Sequence, residues 1–159
     1  AETPLKRGQK AGLKMKDGLL YASADMDSTA AGITTTAAGA GEDVGITDIV
    51  GIVALQVGIA TILKVPGIEN GGSGSLDKTV LKKYLKACDI VISIGLESFA
   101  ALNRAGIEFY RYGSAEVAIE AARCGLNPLV VCVENEASRL VSRLEQGGIK
   151  YELVDASKG

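Results

Sequence analysis

Four times between residues 76 and 154 a stretch with helical spacing gives way to a short apolar run, and that alternation limits the fold more than any motif does. Residues 76–87 carry apolar side chains at 76, 80, 81, 84 and 85, with Lys78, Lys82, Lys83 and Lys86 facing away. The run Asp89-Ile-Val-Ile-Ser-Ile94 follows, β-branched and continuous, which predicts a strand covered on both faces. Helices over 97–105 and 115–124 close on Gly106 and Gly125, with a short strand over 107–112 between them. A buried strand over 129–133, a helix over 137–146 stopped by Gly147-Gly148 and a last strand over 151–154 complete the series. Helices alternating with buried strands predict a parallel, doubly wound sheet, a Rossmann-like α/β lobe.

The chain before this series reads as β. Residues 10–16 alternate apolar and polar positions, Asp17-Gly18 gives a hairpin signal, and 19–23 resume the strand. Residues 30–36 are a further strand, and 42–46 lead into another over 48–55. The apolar run 46–65 carries Gly51 and Gly58 and is rich in β-branched residues, which favours two strands around Gln56-Val-Gly58 over a helix. Short strands punctuated by glycine suggest a small barrel or sandwich. From Asp17 to Leu63 there are six acidic residues and no Lys or Arg, whereas later charges are mixed. The expectation is a β-rich lobe over 1–67 and a Rossmann-like lobe over 68–159.

Several function classes fall away on composition. No run approaches the roughly 18 to 20 apolar residues of a membrane span, so a cytoplasmic protein without a membrane partner is expected. A net charge of −2 argues against nucleic-acid binding by this chain unaided. The one basic cluster, Lys6, Arg7, Lys10, Lys14 and Lys16, reads as a solvated edge or as a join to an upstream partner domain. With no histidine, the commonest general base and most zinc sites are missing. Cys88, Cys124 and Cys132 have no metal-ligand spacing and read as buried thiols in a reducing compartment. Glu42, Asp43 and Asp48, with Asp25 and Asp27, lack the spacing of a calcium loop and read as solvated turns. No catalytic residue, metal site or named cofactor follows from the sequence, and an enzyme is the less favoured reading.

Ligands of doubly wound sheets sit beyond the carboxyl ends of the strands, at helix amino termini. Three places qualify. Gly71, Gly72, Ser73 and Ser75 form a glycine- and serine-rich loop before Asp77, able to approach an anion or to serve as a flexible linker. It lacks the lysine of a Walker loop. Gly95, Glu97 and Ser98 follow the 89–94 strand, where Ser98 either donates to a ligand or caps its own helix, the cap being favoured. Gly113 and Ser114 open the next helix, where Ser114 reads as an N-cap.

Taken together, residues 10–22, Gly41-Glu-Asp-Val-Gly-Ile46, Gly71-Gly-Ser73 with Leu76-Asp77, Gly95 and the ending Gly148-Ile-Lys-Tyr-Glu-Leu-Val-Asp155 resemble the carboxyl-terminal domain of a family of archaeal winged helix-turn-helix transcriptional regulators. The resemblance covers most of residues 7–155. It implies an effector-sensing and oligomerising module, with DNA contacted through a separate helix-turn-helix domain that this chain does not contain. Members of that family carry a basic residue soon after Gly-Gly-Ser, where Gly74 stands here, which weakens an anion site at this loop. The resulting expectation is a small-molecule effector in a crevice between the lobes, lined by the three glycine–serine sites. A homodimer is expected from the small residues of helices 97–105 and 115–124. The alternatives are a small enzyme or cofactor-binding protein using the same crevice, and a purely structural dimerisation domain.

Overall fold

A computed structural model describes residues 1–158, and the chain divides into two compact units, Ala1–Leu55 and Gln56–Gly159. In the first, β1 (Lys10–Lys16), β2 (Leu19–Ser23), β3 (Ala30–Thr34) and β4 (Ile46–Gly51) form one antiparallel sheet in the order β2-β1-β3-β4. The β1–β2 turn uses Asp17 and Gly18, both in left-handed conformation, as a two-residue hairpin matching strand twist requires. Leu5, Ala11, Leu13, Ala22 and Ala30 make its small core. The barrel or sandwich expectation thus resolves into a single open sheet, with β2 and β4 as its edges.

The second unit carries β5 (Ala60–Val65), α1 (Lys78–Leu85), β6 (Ile90–Ile94), α2 (Leu96–Arg104), α3 (Ser114–Arg123), β7 (Pro128–Val133), α4 (Glu134–Gln146) and β8 (Tyr151–Asp155). All four strands are parallel, in the order β6-β7-β5-β8. Two 3-10 turns, Ile68–Asn70 and Gly72–Ser75, fill the approach to α1. Side chains alternate across the strands, as a pleated sheet demands. Ile62, Ile92, Val130 and Cys132 meet α3 and α4 on one face. Leu63, Val65, Leu129 and Val131 meet α1 and α2 on the other. Every residue of β7 is buried, and each such Val or Leu contributes about 1.5 to 3 kcal/mol.

Two sequence expectations change. Ala60–Val65, assigned to the β-rich lobe, pairs with β7 and β8, so the units meet at Leu55 and Gln56 instead of after residue 67. The two strands expected around Gln56-Val-Gly58 are present as β4 and β5, and they belong to different sheets. The strand expected over 107–112 shrinks to a single parallel bridge between Ile92 and Tyr110. Short apolar runs show where strands lie but not which neighbour they join. Ala101, Ala118, Ala121 and Ala122, the small residues offered for subunit packing, are buried in this chain.

The connections position the site. Helices leaving β5 and β6 lie on one face and the helix leaving β7 lies on the other. The sheet therefore opens on either side of the β7 carboxyl end, where doubly wound sheets hold ligands.

Candidate functional site

The loop that leaves β5 is the first place where sequence predicts a ligand, and the N–H groups of its first half are already taken. The Gly67 N–H donates to Glu134 Oε1 at 3.0 Å, and Asn70 Nδ2 reaches the same oxygen at 2.7 Å. The Ile68 N–H donates to Glu97 Oε1 at 3.1 Å. The Gly71 and Gly72 N–H groups turn back onto the carbonyls of Ile68 and Gly67. Both glycines have positive φ, 95° and 55°, which this tight reversal requires. Ser73 Oγ accepts from Arg104 Nη2 at 3.4 Å, and the Ser75 carbonyl accepts from the Lys158 N–H. Asp77 then caps α1 through the Thr79 and Val80 N–H groups. Donation by Gly67, then by Asn70, holds the Glu134 carboxyl below its ordinary value.

At the β6 exit, Gly95 has φ 93° and ψ 158°, a region open essentially to glycine alone. A Cβ there would stand 2.5 Å from Val133 Cγ1, so the glycine lets the β6 exit lie against the end of β7. Glu97 and Ser98 occupy the first turn of α2, Glu97 directed to the β5 loop. Ser98 is fully buried and its hydroxyl has no partner, so the expected cap bond is not made.

Around the entry to α3 the balance is different. Gly113 is the N-cap, left-handed and without a side chain to offer, so the first N–H groups of the helix have no cap. Ser114 is the first helical residue, and its hydroxyl donates to the Ser93 carbonyl at 3.0 Å, tying α3 to β6 instead of capping. Beside these groups lies a cavity of about 280 Å³, bounded by Gly95, Ser114, Arg111, Arg139, Arg143 and Glu136 among others. Arg143 pairs with Glu116. The Arg111 guanidinium lies 5.3 Å from the Phe99 ring and 4.8 Å from the Tyr112 ring. Arg139 has no ionic partner among the described residues. Three arginines and one carboxylate, Glu136, line the cavity, Glu116 pairs with Arg143 from outside the lining, and the positive end of α3 adds to the excess. The Glu116 carboxyl is held below its usual value first by its own backbone N–H and then by Arg143.

The structure thus sorts the sequence-predicted residues into two groups. Gly71, Gly72, Ser73 and Ser75 gather with Glu97 at the β5 loop, whereas Gly95 and Ser114 line the arginine cavity with Gly113 at the helix entry. All lie in the second unit. Sequence reading missed Arg111, Arg139, Arg143, Glu134 and Glu136. The spacing of Arg139 and Arg143, four residues apart on one helix, was the available signal, since such pairs share a face. Arg111 and Glu134 come close to the site through the fold alone.

Among the described residues no three His, Cys, Asp or Glu side chains are grouped to hold a metal ion. Glu42 and Asp25 accept from the nearby Gly39 and Asp27 N–H groups, as local turns do. Burial, with Glu136 a second cause, pushes the Cys132 thiol up to about 12. Cys88 is also raised, chiefly by burial. No helix among the described residues is long and apolar enough to cross a membrane.

The chain is similar to an uncharacterised protein of the archaeon Methanocaldococcus jannaschii, 26% identical over 161 residues covering 99% of this chain. It spans 62% of that relative's length. No solved structure matches it. A family model, described as a domain of unknown function, matches residues 54–153, which run from just before β5 into β8. The matched segment takes in most of the parallel unit and more than half of the chain, which therefore belongs to this family, DUF7839.

Proposed function

We propose that this chain is the effector-binding module of an archaeal transcriptional regulator, and that its effector is a small anion seated in the arginine-lined cavity beside the α3 entry. The observation that carries the reading is the excess positive charge of Arg111, Arg139 and Arg143, of which only Arg143 has an ionic partner among the described residues, in a chain of net charge −2. Guanidinium groups in a concave site pair with carboxylates or phosphates, and an uncapped helix start adds N–H donors of the same preference. The cavity lies beyond the β6 carboxyl end, where Gly95 and Ser114, both expected ligand residues, line it. The regulatory half of the reading rests on the resemblance of the sequence motifs. The relative's greater length leaves room in that protein for a further domain. The same reading has the chain acting as a homodimer, which sedimentation velocity would register as a doubled mass.

The test is isothermal titration with inorganic phosphate, sulfate and small dicarboxylates. Arg139→Gln weakens the best anion by about tenfold, the loss expected for one charged hydrogen bond, and Ser73→Ala leaves it unchanged. Absence of binding to any anion, or loss on Ser73→Ala with Arg139→Gln silent, overturns the proposal.

A further inference from the structure

Aromatic residues are scarce in this chain, five tyrosines and two phenylalanines in 159 residues, yet four of the seven fall between residues 99 and 112. Phe99 and Phe109 pack edge to face with ring centroids 5.6 Å apart. Arg111, which lines the cavity, lies against both Phe99 and Tyr112. Tyr112 and Tyr110 flank it with 77% and 58% of their surface in water. Tyr110 is fixed at the backbone, where its N–H donates to the Val91 carbonyl and its carbonyl accepts from the Ser93 N–H. One exposed phenol ring, that of Tyr112, thus lies against an arginine that lines the cavity. An exposed tyrosine whose ring backs onto an arginine gains a modest cation–π attraction from that contact, and its other face offers a flat π surface to a ring.

From this juxtaposition we propose that the ligand is a nucleotide, its phosphoryl group held by Arg111, Arg139 and Arg143 and its base stacked on Tyr112. This rests on the anion reading above and narrows it to a chemical class. A cavity of about 280 Å³ lies just below the usual range of small-molecule sites. It therefore takes the phosphoryl head, leaving the ribose and base to extend past Gly113 toward the ring. Arginine also suits this head better than lysine would, because its planar fork meets phosphate oxygens in pairs. Stacking tolerates every base, so affinity follows ring size more than hydrogen-bonding pattern.

The experiment compares inorganic phosphate, ribose 5-phosphate, adenosine, adenosine monophosphate and uridine monophosphate by titration calorimetry. They are titrated against the unmodified protein and against Tyr112→Ala and Arg139→Gln. Tyr112 is largely exposed, so its removal leaves the fold intact, which circular dichroism checks. Adenosine monophosphate binds roughly tenfold or more tightly than ribose 5-phosphate, and Tyr112→Ala removes that advantage, weakening the nucleotide more than it weakens inorganic phosphate. Arg139→Gln weakens every phosphate-bearing ligand alike. If the nucleotides bind no better than ribose 5-phosphate, or ignore Tyr112→Ala, this inference falls while the anion reading stands. If no phosphate compound binds, both fall. A short single-stranded RNA that binds more tightly than the mononucleotides overturns the small-ligand form of the proposal.

Discussion

Two loops reach the carboxyl edge of the same parallel sheet and meet it in opposite ways. The approach to α1 has the glycines and serines that suggest an anion cradle, yet Glu97 and Glu134 already accept from its Gly67 and Ile68 N–H groups. The entry to α3 has one glycine and one serine, yet it sits beside three arginines with carboxylates too few to balance them. Glycine content reports how sharply a backbone can turn. Whether a ligand is wanted depends on which donors and charges remain without a partner inside the molecule.

The comparison can be broken at several points. The largest effect belongs to Gly95→Ala, which forces an alanine into a glycine-only backbone region and against Val133. It lowers stability by about 2 to 4 kcal/mol in urea titration, and a silent substitution would mean that β6 does not exit against β7. Next comes the loop. Replacing both Glu97 and Glu134 by alanine frees Gly67 and Ile68, whose amides then exchange roughly tenfold faster or more. The same protection responds to acid. The Glu134 carboxyl lies below its ordinary value of 4.5 in the folded state, so its contribution is complete above pH 4.5 and is lost as pH falls through the folded value. Amide exchange at Gly67 measured across this window reads the loss, and flat protection would remove Glu134 as the clamp.

Smaller effects sharpen the picture. Cys132, buried and with its pKa near 12, stays unmodified by iodoacetamide in the native state, whereas the half-buried Cys124 is alkylated. Peptide mass spectrometry separates the two. The smallest change is Ser98→Ala. Deleting a buried hydroxyl without a partner raises stability by up to about 1 kcal/mol, and a loss of stability would reveal a partner for it.

Much of the second unit was legible because its strands are buried on both faces and read as continuous β-branched runs. The 129–133 and 89–94 runs are examples, found as β7 and β6. Partner choice was not legible. Ala60–Val65 resembles its neighbours in the β-rich lobe, and pairing with β7 and β8 depends on contacts almost 70 to 90 residues away in the chain. The candidate site divides along the same line. Gly95, Gly113 and Ser114 announced themselves through local turn chemistry. Arg111 comes to the cavity from the segment after α2, and Arg139 and Arg143 come from α4 across the sheet edge. Separated by 28 residues or more, they formed no pattern with Arg111 that a sequence scan could weigh.

The account's central claim is that the open anion position lies at the α3 entry and not at the glycine-rich loop. Amide chemical shifts followed during a titration with inorganic phosphate test it most directly. The account predicts shifts at Gly95 and at residues 113–116, with Gly71 to Ser75 undisturbed. Shifts confined to Gly71–Ser75, with residues 113–116 silent, would contradict it.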